Sequence, residues 1–68
     1  MKISARNKLK GTIKEIKTGA VMAKVSIEIA GGSIITSVIT VDSVEDLELK
    51  VGDEVYAIIK STEIMIGK

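Results

Sequence analysis

From Val21 to Ile29 the chain alternates without a break: Val21, Ala23, Val25, Ile27 and Ile29 are apolar, and Met22, Lys24, Ser26 and Glu28 stand between them. Side chains that repeat every two residues fall on opposite faces only in an extended strand, so this stretch must be a half-buried β-strand. The same rhythm opens the chain. Ile3, Ala5, Leu9, Gly11 and Ile13 are apolar or small, while Ser4, Arg6, Lys8, Lys10, Thr12 and Lys14 are polar. After Glu15 the phase slips, with Ile16 taking the apolar role from an even position, which predicts a bulge there or the end of regular pairing.

Turn chemistry divides the rest. Thr18-Gly19 separates the first two strands, and Gly31-Gly32-Ser33 reads as a hairpin connection into a returning strand, Ile34 to Val41, apolar on both faces. Asp42 to Leu47 breaks the alternation, and Asp42 with Glu45 three residues on resembles a capping box for one or two helical turns. Lys50-Val51-Gly52-Asp53 turns the chain into a fourth strand, Glu54 to Lys60, and Ser61-Thr62-Glu63 leads to a short last strand, Ile64 to Ile66. Three strands, a short helix and two more strands predict an all-β fold, a five-stranded OB-like Greek-key barrel in a single domain spanning residues 1–68. Strands this long in so small a chain also predict that one of them extends beyond its own barrel to pair with a neighbour.

Size sharpens that expectation. Ordering 68 residues costs roughly 1.5 kcal/mol per residue, which a small core barely offsets. Small domains add disulfides, a structural metal or self-association, and the chain has neither Cys nor His. Self-association remains. A net charge of +1 provides no strong field for a polyanion or an acidic membrane, and with Tyr56 the sole aromatic residue a stacking platform for single-stranded nucleic acid is hard to build. The opening residues lack the apolar run of a signal peptide, so the expected setting is cytoplasmic, with no membrane partner.

Chemistry-bearing residues concentrate at the two ends. Ser4-Ala5-Arg6-Asn7 gathers hydroxyl, guanidinium and amide donors, and Lys60-Ser61 adds a cation and a hydroxyl at a change of chain direction. Donors of these kinds suit a tetrahedral oxyanion, the guanidinium presenting a planar fork to two oxygens. On residue chemistry alone, a solvated strand face and an ordinary polar turn are the better readings of the two segments. Lys60 and Ser61 adjacent on a strand point to opposite faces and make a poor nucleophile and base, and without His or Cys no acid-base or thiol chemistry stands out. The acidic residues Glu45, Asp46, Glu48, Asp53 and Glu54 read as a solvated face rather than a cation site. No catalytic residues, cation-type metal ligands or cofactors are expected.

Ser4-Ala5-Arg6-Asn7 followed by Leu9-x-Gly11, then Gly19-Ala20-Val21, Ala23-x-Val25, Gly52 to Val55, Ala57-Ile58-Ile59-Lys60-Ser61 and Met65, resembles the molbindin family of Mop-type molybdate-binding domains over nearly the whole chain. The resemblance implies an OB-like domain, strand-exchanged into dimers and assembled as a hexamer, a trimer of dimers, with molybdate or tungstate held at subunit interfaces for storage, buffering or delivery. Carried over residue by residue, the main anion site uses Ser4, Ala5 and Arg6 of one chain with Lys60 and Ser61 of a neighbour, and Asn7 joins the donor set. Two positions depart from the family's habit: Met22 stands where a small polar residue is common, and Lys24 where an acidic one is. A second kind of site near a threefold axis has no residues assigned. Against this stand two rivals, an OB-type nucleic-acid-binding module and a structural oligomerisation module that has lost its ligand.

Overall fold

In the computed structural model, which describes all 68 residues, four strands form one antiparallel sheet: β1 (Asn7–Thr18), β2 (Met22–Ile29), β3 (Ile34–Thr40) and β4 (Glu54–Ile59), in the spatial order β3-β2-β1-β4. Between β3 and β4 lies a helix, α1 (Val41–Asp46). The predicted phase slip is present one residue earlier than its sequence position suggested. Ile13 pairs with Ile27 and Glu15 with Ser26, so Lys14 is the extra residue, and Ile16 returns to the inner face opposite Val25. A bulge raises local twist and bends its strand, and here it bends the longest one, so that the sheet curls into an open half-barrel.

Gly11 sets how closely β1 and β2 approach. A Cβ there would lie 2.6 Å from both the carbonyl oxygen of Glu28 and a methyl of Ile27, closer than packed atoms allow. The hairpin between β2 and β3 turns on Gly31 and Gly32, with φ of 90° and 88°, angles that cost glycine little and other residues more. The Ile29 amide donates to the Ser33 carbonyl at 2.9 Å across its base.

Six apolar side chains are buried: Ile13, Ala23, Val25, Ile27, Val44 and Ala57. Ile13, wholly shielded, is the centre. Its backbone also ties the sheet to the turn before β4, its amide donating to the Asp53 carbonyl at 2.9 Å and its carbonyl accepting from the Gly52 amide at 2.8 Å. Val44 from α1 closes one end of this core.

The cap of α1 differs from expectation. Thr40, not Asp42, is the N-cap: its Oγ1 accepts from the Ser43 amide at 3.0 Å and donates to Ser43 Oγ at 2.8 Å. The reason is that β3 runs on to Thr40, and the Val41 amide is then bound to the Val21 carbonyl at 2.8 Å, which fixes where the helix can begin. At the other end the Glu48 amide donates to Glu45 and the Leu49 amide to Val44, a Schellman closure whose left-handed residue is Glu48, φ 52°, where glycine is usual.

A fifth strand is absent. After β4, Ser61–Glu63 form a 3-10 turn, and Ile64 to Ile66 pair with nothing, Met65 and Ile66 being 93% and 96% exposed. Ile3 to Arg6, expected to begin the first strand, also lie outside the sheet. Neither segment pairs with either edge of the sheet, β3 or β4, and an extended segment without a pairing partner is not a strand. The fold is therefore all-β with one short helix, a four-stranded open half-barrel of OB-like form. Its concave side keeps an apolar hollow of about 440 Å³, lined by Ile13, Val25, Ile39, Leu49, Val55 and Tyr56 among others.

Candidate functional site

The antiparallel pairing of β1 with β4 starts at Asn7 opposite Ile59. The residues just before β1 and just after β4 are thereby brought to one end of the sheet. Segments more than fifty positions apart in sequence become neighbours for a simple reason: antiparallel strands place the start of one beside the finish of the other. The side-chain amide of Asn7 makes the link, Nδ2 donating to the Ile59 carbonyl at 3.3 Å and to Ser61 Oγ at 3.4 Å.

Around this link the donor set lies open. Ser4, Arg6, Lys60 and Ser61 are exposed, and Ala5 and Asn7 are half-buried. The two ion pairs of the chain are Lys10–Glu54 at 3.6 Å and Lys14–Glu28 at 3.7 Å, so neither Arg6 nor Lys60 is neutralised by a carboxylate. Lys60 stands in extended backbone at the entry of the 3-10 turn, where its carbonyl accepts from the Glu63 amide at 2.9 Å. Two free cations, two hydroxyls and flanking backbone amides at one end of a sheet can surround an anion with donors and offer few acceptors.

The structure thus joins Asn7 to Ser61 and leaves Met22 out. Met22 pairs with Thr40 at the far end of β1 from Asn7 and is 45% exposed on the outer face. It packs in neither the core nor this chain's donor cluster. Lys24 lies on that same outer face, directly opposite Lys17. The acidic residues are dispersed: no group of three or more carboxylates converges, Asp53 accepts from the Lys50 amide at 2.9 Å, and Glu54 pairs with Lys10. The hydrogen bond from Asn7 to Ile59 was not legible in the sequence, since it depends on register across the sheet and no local motif announces it.

Residues 3–66 match the family model described as the TOBE domain. The chain belongs to the TOBE domain family. This TOBE domain is 56% identical over 66 residues to molybdenum-pterin-binding protein 3 of Clostridium pasteurianum, the match covering 97% of each chain. Among solved structures, a molybdate-binding protein from Sporomusa ovata superposes with a TM-score of 0.93 at 50% identity, over the full length of both chains. The cytoplasmic molybdate-binding protein ModG superposes with a TM-score of 0.86 at 48% identity, over 90% of this chain and 43% of ModG. Matches that cover nearly the whole chain span both donor segments and the strands that bring them together.

Proposed function

We propose that this TOBE domain binds molybdate or tungstate and performs no catalysis, serving cytoplasmic storage, buffering or delivery of the oxyanion. The observation that carries the reading is the exposure, at one end of the β1–β4 pair, of two donor-bearing segments, Ser4–Arg6 and Lys60–Ser61, whose two cations are unpaired and open to a neighbouring chain. The likeness to the molybdate-binding protein of Sporomusa ovata over the whole chain, and to ModG over 90% of it, supports the choice of ligand. Ser4, Arg6, Lys60 and Ser61 supply side-chain donors, and Ala5 supplies backbone.

Assembly completes the site. The open apolar hollow, the unpaired Ile64 to Ile66 segment and a core of only six buried side chains leave the single chain short of burial, a deficit that a second copy removes. The form proposed is a strand-exchanged dimer, three of which make a hexamer, with Ser4, Ala5 and Arg6 of one chain meeting Lys60 and Ser61 of another. An all-donor shell discriminates by protonation: molybdate at neutral pH is a bare dianion, whereas hydrogen phosphate carries a proton that needs an acceptor. Equilibrium dialysis against molybdate, with sulfate and phosphate as competitors, tests the reading. Molybdate retained in preference to both is the expected outcome, and phosphate bound as tightly as molybdate would overturn it.

A further inference from the structure

Asn7 differs from the other polar residues of the site in that its amide nitrogen donates to two acceptors of its own chain, the Ile59 carbonyl at 3.3 Å and Ser61 Oγ at 3.4 Å. The first of these fixes the orientation of the group. Were the amide reversed, Oδ1 would face the carbonyl oxygen of Ile59, acceptor against acceptor, so nitrogen is on the inner side. The second then follows from the position of Asn7 in β1, opposite Ile59, two residues from Ser61 along the other segment.

A serine hydroxyl has one hydrogen to donate and two lone pairs with which to accept. With Asn7 donating to one lone pair, the oxygen of Ser61 is held from the strand side, and its own hydrogen turns away from the amide, toward the open face where Ser61 and Lys60 are exposed. We infer that Asn7 is a positioning residue for oxyanion binding, one that acts through Ser61: anchored on Ile59, it fixes Ser61 Oγ as a donor to the anion and does not itself contact it. The inference rests on the function proposed above. It also divides the Ser4–Asn7 motif. If Ser4, Ala5 and Arg6 serve an anion shared with a neighbour's Lys60 and Ser61, then Asn7 acts on Ser61 of its own chain, and the adjacent residues Arg6 and Asn7 serve two different anions.

The test is a double-variant cycle on the full assembled chain, read by calorimetric titration with sodium molybdate. Ser61→Ala is expected to weaken binding about tenfold and Asn7→Ala about fivefold, the range that one hydrogen bond contributes. The double variant is expected to bind no more weakly than Ser61→Ala alone, because Asn7 has nothing to position once the hydroxyl is gone. Losses that multiply, to about fiftyfold in the double variant, would mean that Asn7 touches the anion itself and would overturn the assignment. Asn7→Thr, which keeps a residue suited to a strand but lacks the reach of the amide, repeats the cycle in case the alanine variant folds poorly. A loss that follows a lowered melting temperature of the unliganded protein in both Asn7 variants, and persists beside Ser61→Ala, marks a merely structural residue and also overturns it. Wild-type protein that fails to bind molybdate removes the proposed function as a whole, whereas wild-type binding with multiplied losses removes only the role given to Asn7.

Discussion

The two ends of β1 are built on opposite principles. Toward its bulge the strand is packed: Ile13 is wholly shielded, its amide and carbonyl are tied to the turn before β4, and Val44 of the capped helix closes the core beside it. Toward its start it is open and polar, with Arg6, Lys60 and Ser61 exposed and a single side-chain amide bridging to the end of β4. One end keeps the chain folded and the other presents hydrogen-bond donors. In a domain this small the stabilising residues and the candidate donors lie only a few positions apart along the chain yet remain separable, because apolar burial at Ile13 and donor presentation at Arg6 draw on different groups.

Substitutions can break that separation, and the largest expected effect is at the packed end. Ile13→Ala should destabilise by about 2–5 kcal/mol, from lost transfer energy and the cavity left behind. Urea titration of the assembled protein measures it, while the molybdate affinity of the fraction still folded should be unchanged. Arg6→Ala should do the reverse. Ligand binding to the folded form stabilises by about 2.7 kcal/mol per site at a hundredfold excess over Kd, and this variant should lose most of that molybdate-dependent rise in melting temperature without altering the unliganded melt. An unchanged molybdate response would remove the N-terminal motif from the site.

Smaller effects are expected at the two ends of α1, which touch the packed region only. Thr40→Ala deprives the Ser43 amide of its acceptor, and caps of this kind contribute about 1 kcal/mol, readable as a lower denaturation midpoint with Kd unaltered. Glu48→Gly is expected to stabilise by about 0.5 kcal/mol, since relief of the left-handed backbone slightly outweighs the extra freedom that glycine gives the unfolded chain. Its thermal melt should move upward. A change in molybdate affinity from either helix variant would show that the two regions are coupled after all.

Period-two alternation, a glycine pair and a phase slip are local signals, and the strands, the hairpin at Gly31-Gly32 and the existence of a bulge were all legible from them. So were the donor-rich segments, because residue type alone says what can meet an anion. Which residue is extra in β1 was not legible: Lys14 and Glu15 both lie between inward-facing Ile13 and Ile16, and only the pairing of Glu15 with Ser26 across the sheet leaves Lys14 as the extra one. The helix cap moved from Asp42 to Thr40 for the same kind of reason, the register of β3 against β2 deciding where the strand ends. Ile64 to Ile66 carry a strand-like apolar pattern, yet a strand exists only where an edge receives it, and within one chain none does. Sequence by itself determined which segments extend, where they turn and which side chains can donate. Tertiary structure alone decided register and adjacency, hence that Asn7 reaches Ser61, because a hydrogen bond between residues so distant in sequence has no local cause and exists only once the sheet between them has formed.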